Sequence, residues 1–246
     1  MLNSPRNRGR NSGNVLFLIL IAVALFGLLT AAITKSDRGS TSMDRERGSI
    51  SATDYMGYAG GMEKTVARML GDEISENALS FENDVWQTNN GDAVETAAMF
   101  ANCTDAKCKV FDASGGGLDA RAFPAAVLDA TAPGDVRSGD AGVYALRVAG
   151  VGTDKHDLVL MITGVDQNTC KEINRQLGID NPSGFPPSDS WAGAILYAGS
   201  FTGPTDATDE IGDVATSLNH HTAGCVNRAG SGGKDDNAFY QVLLPR

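Results

Sequence analysis

Histidine is almost missing from this chain, with three in 246 residues: His156, His220 and His221. None stands in the paired spacing of a zinc hydrolase helix, so general acid–base chemistry has little imidazole to draw on. Basic residues are also short. Lys and Arg number 20 against 30 Asp and Glu, a formal charge of −10, and such a surface repels nucleic acid, so no nucleic-acid partner is expected. Aromatics make up only 7% while Gly reaches 29 residues, which predicts loop-rich architecture with enough chain left for a core.

Catalytic motifs are equally thin. The run His220-His221-x3-Cys225 offers three ligand types, but a thiol committed to a disulfide cannot bind metal, and no second short cysteine pair completes a zinc set. Gly230-Ser231-Gly232-Gly233 lacks the strand that a nucleophile turn requires, and Gly115-Gly116-Gly117 lacks a phosphate-loop spacing, so it reads as a flexible loop. Adjacent acids such as Asp209-Glu210 are inevitable among thirty carboxylates and carry no diagnosis. No catalytic residue, metal or cofactor is assigned, and an enzyme is not expected.

One long hydrophobic run is present. Val15 to Ile33 is nineteen residues without a charge, about 28 Å as a helix against the ~30 Å bilayer core, and it predicts a membrane-spanning helix. Arg6, Arg8 and Arg10 precede it with no acid among them, whereas Lys35 is followed by a mixed-sign run; the charge excess places residues 1–13 in the cytoplasm and the rest outside. Thr30-Ala31-Ala32 offers a signal-peptidase alternative, but the apolar region is longer than a signal peptide needs. An uncleaved single-pass anchor is a further reading.

The short basic leader ending in Gly13, immediately before the run Asn14-Val15-Leu16-Phe17-Leu18-Ile19-Leu20, resembles the class III leader of type IV pilins and pseudopilins. The resemblance implies cleavage between Gly13 and Asn14 by a prepilin peptidase, methylation of the new amino terminus, and an apolar helix that serves as anchor and then as a filament-core stave. Two departures narrow it. Leu18 stands where the family commonly has Glu at the fifth mature position, and Asn14 stands where Phe or Met is usual. A missing Glu resembles the minor, tip-located pseudopilins.

Past the anchor, residues 35–52 are polar and rich in Gly, Ser and Thr, and read as a linker. Apolar residues then recur at three- to four-residue intervals from Ala59 through Met62, Val66, Met69 and Ile74 to Phe81, predicting an amphipathic helix over 53–80, with N-cap candidates at Ser51 to Thr53. A short helix over 93–100 and a strand start at 108–111 are weaker expectations. Two branched runs, 143–150 and 158–164, predict an antiparallel hairpin. Asp166 caps a helix over 167–177 that ends at Gly178, with Cys170, Ile173 and Leu177 on one face. The region from 181 to 236 is loop-like, and 239–244 is a last apolar strand.

The four cysteines allow three connectivities in an oxidising compartment. Cys103 and Cys108, with four residues between them, suit a small closed loop, which leaves Cys170 with Cys225. The hairpin followed by a capped, cysteine-bearing helix also resembles type IVb-like pilin heads, in which a disulfide-bounded C-terminal loop supports subunit contacts; the resemblance implies that role here.

The expected fold is α+β: an N-terminal transmembrane helix, then a second amphipathic helix packed on a small antiparallel sheet. The expected organisation is a cleaved leader at 1–13, a transmembrane and filament-core helix at 14–34, a linker at 35–52 and an extracytoplasmic head at 53–246. The expected function is that of a minor or divergent structural subunit of a type IV pilus-like or type II secretion pseudopilus-like filament. Its expected location is the inner membrane as a single-pass protein, with the C-terminal domain in the periplasm or on a filament outside. The expected partners are other pilin-like subunits, the prepilin peptidase and membrane lipid. The alternative is a single-pass anchored extracytoplasmic binding protein that forms no filament.

Overall fold

The structure is a computed structural model that describes residues 17, 19–26, 38–86, 95–123, 141–190, 194–201, 210–228 and 236–246. The chain divides into two compact units, 1–44 and 45–246. In the first, residues 19–26 are helical (α1) and their large apolar side chains lie open to solvent. A second helix, α2, runs Arg38–Gly71.

The expectation of a transmembrane helix is corrected here. Among the described residues no helix is long and apolar enough to cross a membrane. The eight described residues of α1 would span about 12 Å of a ~30 Å core. The much longer α2 has the length but carries Asp44, Arg45, Glu46, Arg47, Asp54, Glu63, Lys64 and Arg68, whose transfer into hydrocarbon is prohibitive. The placement as a single-pass protein of the inner membrane falls with it; the remainder of 14–34 lies outside the described residues.

The polar linker is also revised, since α2 is already helical at Arg38 and runs through the expected N-cap positions. Its inward face is Ala52, Tyr55, Ala59, Met62, Val66 and Met69, spaced three and four apart and at most 1% exposed. Burying each of the larger of these contributes roughly 1.5–3 kcal/mol, which outweighs the weak helix propensity of the Gly- and Ser-rich start. The helix stops at Gly71 rather than near residue 80. Glu73 turns left-handed at φ 64°, so that its N–H reaches Leu70 O (3.2 Å) and the Ile74 N–H reaches Met69 O (3.1 Å).

The sheet explains what α2 covers. Its strands are β1 (Ala141–Leu146), β2 (Asp157–Thr163), β3 (Ser188–Asp189), β4 (Ile195–Leu196), β5 (Ala223–Arg228) and β6 (Asn237–Leu244), in the order β3-β5-β6-β2-β1-β4. The β1–β2 hairpin has the expected antiparallel register, Val143 opposite Leu160. The last apolar run inserts between β2 and β5. The expected small antiparallel sheet is therefore six-stranded and mixed, because β3 pairs parallel with β5.

Every residue of β2 is buried, as a central strand requires. Leu158, Leu160 and Ile162 join Phe239, Leu243 and the α2 face in one core, whereas Val159 and Met161 join Tyr240, Val242, Ile211 and Leu218 in another. The helix α3 (Gln167–Leu177) packs beside α2 on the first face. Asp166 caps it through the Asn168 and Thr169 N–H groups (3.0 and 3.1 Å), and Gly178 closes it at φ 74°.

The middle third holds two smaller differences. The described part of the expected helix over 93–100 is one 3-10 turn, Ala97–Met99, and the strand start at 108–111 is a single bridge between Ser80 and Lys109. The glycine triplet is a close-packed turn rather than a flexible loop. Cβ atoms on Gly115 or Gly116 would collide with the backbone carbonyls of Lys109 and Val110, and Arg68 donates to the carbonyls of Gly115 (3.1 Å) and Gly116 (2.8 Å).

Candidate functional site

Gly13 and Asn14, the expected cleavage pair, lie outside the described residues, as do Leu18, Asp209 and Gly230 to Gly233. Just downstream, the side chains of Phe17, Ile19, Leu20, Ile21, Val23, Leu25 and Phe26 are 41–71% exposed. Apolar residues on every side of this helical stretch leave it no face for water.

Cys103 is bridged to Cys108 and Cys170 to Cys225, and no described cysteine is free. The two bridges sit in different surroundings. The first closes a surface turn in which Asp105 accepts from the Lys107 N–H (3.1 Å). The second is wholly buried and doubled by Asn174, one turn along α3. The Asn174 Oδ1 accepts from the Cys225 N–H and its Nδ2 donates to the Cys225 carbonyl, each at 2.8 Å, so the amide pairs with β5 as another strand would. Asn181 completes the anchor, accepting from Asn174 Nδ2 (3.0 Å) and donating to the Lys171 carbonyl (3.0 Å). Nothing in the sequence around Asn174 announces this role, because its partner lies 51 residues away.

The chain end is held as firmly. Asp157, at the start of β2, accepts from the Arg246 N–H (2.8 Å) and the Val148 N–H (3.3 Å), and the Thr153 N–H donates to the Arg246 carbonyl. Burial pushes the Asp157 carboxyl up to about 6 despite those donors and the charges of Arg147 and Arg246. Gly152 is left-handed (φ 63°) and abuts the Arg246 backbone, where a side chain has no room. The Arg246 guanidinium stacks on Phe201, 3.8 Å from the ring centroid, and pairs with Glu76 at 3.0 Å.

Beside that stack opens a cavity of about 470 Å³. Arg246, Arg147, Lys155 and His156 line it with Phe201, and Asn77 and Ser200 add polar groups. Arg147 is braced by Glu210 (2.7 Å) and Asp154 (3.4 Å). In the sequence Lys155 and His156 fall between the two hairpin strands, where the charge of the connection is their single signal, and the partners of Arg246 are too distant in sequence to be anticipated.

Two further buried carboxyls are structural. Glu95 is fully buried and accepts from the Val143 N–H (2.8 Å), and burial lifts it well above the usual carboxylate range. Asp189 accepts from the Gly212 (2.7 Å) and Ala215 (3.0 Å) N–H groups, tying β3 to the loop over the second core, and burial and Asp189 together raise Asp213. Among the described residues no group of three or more His, Cys, Asp or Glu could hold a metal ion. His220 is taken up by the Gly150 carbonyl (2.9 Å), and Cys225 by its bridge, so the sequence run that joins them is not a ligand set. No family model, characterised protein or solved structure matches this chain.

Proposed function

We propose that this chain is a minor or divergent subunit of a pilin-like or pseudopilin-like filament, and that its partners are other pilin-like subunits and a prepilin peptidase. The observation that carries the reading is the exposure of seven large apolar side chains between Phe17 and Phe26. Such a helix is stabilised by burial against like helices, and neighbouring copies supply them in a filament core. The sequence before it supports the same reading through the basic segment that ends at Gly13. The buried Cys170–Cys225 bridge supports a head domain built to persist outside a reducing compartment.

Two measurements test this. Mass spectrometry of protein from its native host is expected to find an amino terminus at Asn14, methylated, and an intact Met1 contradicts the leader. The substitution Ile21→Asp is expected to abolish co-assembly with filament subunits while both disulfides and the circular dichroism of the head stay unchanged. Undiminished co-assembly contradicts the proposed role of the apolar helix.

A further inference from the structure

We infer that the 470 Å³ cavity beside Arg246 is a binding site for a small organic oxyanion, a carboxylate or phosphate carried on a polar body. Its volume lies in the range of small-molecule sites, roughly 300–1,000 Å³. Its lining is rich in cations. Arg147, Lys155 and Arg246 stand on it with Asp154; Glu210 and Asp154 pair with Arg147 and Glu76 with Arg246, so Lys155 is the cation that brings charge without an ion pair among the described residues.

The cations are positioned before any ligand arrives. Arg246 is fixed at its backbone by Asp157 and Thr153, at its ring-stacked face by Phe201 and at its guanidinium by Glu76. Its guanidinium is a planar fork suited to an oxyanion, and across the lining the buried Nε of Arg147 has no hydrogen-bond partner. Because that side chain is already ordered, binding avoids most of the rotamer entropy that a free arginine would lose. Lys155, exposed on the same lining, has no ion pair among the described residues and supplies a second charge. The amide of Asn77 suits a hydroxyl group on the body of the ligand.

The competing account is that Arg246–Glu76 and Arg147–Glu210 only lock the chain end, with water filling the space between them. The two accounts differ in what Lys155 does, since it braces nothing. The full chain, isotopically labelled, is titrated with sodium phosphate, with glucuronate, and with glucose as the uncharged control, in ~150 mM salt to suppress unspecific charge attraction. Saturable shifts of the Lys155, His156 and Ser200 amides are expected with an oxyanion and not with glucose. Saturation by phosphate alone or by glucuronate alone assigns the source of the charge and sustains the site. Lys155→Ala is expected to weaken binding ~10-fold without moving the melting temperature, as loss of one charge-assisted contact implies. Glu76→Gln, which frees the guanidinium of Arg246, is expected to strengthen binding. No saturable shift with either anion, or binding indifferent to Lys155→Ala, overturns the inference.

Discussion

At the scale of single residues, the two helix ends of the second unit make a natural experiment. Both α2 and α3 close with the same pair of hydrogen bonds: Ile74 to Met69 and Glu73 to Leu70 in one, Ile179 to Asn174 and Gly178 to Arg175 in the other. The left-handed residue is Gly178 in α3 (φ 74°) but Glu73 in α2 (φ 64°). A Cβ in that region costs ~1–2 kcal/mol, partly offset by the greater chain entropy that glycine loses on folding. Glu73→Gly is therefore expected to stabilise the protein by ~1 kcal/mol and Gly178→Ala to destabilise it by a similar amount, both read from urea midpoints. A neutral Glu73→Gly would show that the left-handed turn is not maintained in solution. The sequence signalled one of these ends and concealed the other, because glycine announces a stop whereas glutamate is a good helix former. That is why the predicted helix ran on to residue 80.

At the scale of elements, β5 is joined to α3 by the Cys170–Cys225 bridge and by the Asn174 amide, and the bridge spans 55 residues against 5 for Cys103–Cys108. Loop-closure entropy makes the longer bridge worth about 4 kcal/mol and the shorter about 2. Replacing Cys170 and Cys225 together by Ala is expected to cost about twice as much as replacing Cys103 and Cys108, measured by chemical unfolding. Equal costs would mean that the 55-residue span is already constrained without the bridge. What was legible in the sequence at this scale follows the same division between near and far. The β1–β2 hairpin, the Asp166 cap and α3 rest on contacts within about twenty residues, and they were readable, although β1 ends at Leu146 rather than at residue 150. The insertion of β6 between β2 and β5, the parallel β3 and the helical start of α2 depend on distant partners or on tertiary burial, which a local pattern does not encode. The cavity beside Arg246 belongs to this second kind, drawing on Asn77, Arg147, Phe201 and the chain end.

At the scale of the whole molecule, the buried carboxyls give an acidic protein an unusual dependence on pH. Asp157 stands at about 6 and Glu95 well above the normal range, both chiefly through burial. A carboxyl whose pKa is higher folded than unfolded holds its proton in the native state after the unfolded chain has released it. Between the ordinary Asp value, near 4, and about 6, folding therefore takes up protons, and stability falls as pH rises. For Asp157 that loss is about 3 kcal/mol by pH 7, and Glu95 extends it to higher pH. Glu172, held down at about 2 by Arg175, works in the opposite direction, but Arg175 is largely exposed and solvent screens the pair. The net charge of −10 adds repulsion in the same sense as the buried groups, since protonating surface acids relieves it. The melting temperature is expected to be higher at pH 5 than at pH 8, and Asp157→Asn, which keeps an acceptor for one of the two N–H donors without the charge, is expected to flatten that slope. A melting temperature that rises steadily from pH 5 to pH 8 would show that the Asp157 carboxylate is stabilised by Arg147 and Arg246 more than burial penalises it.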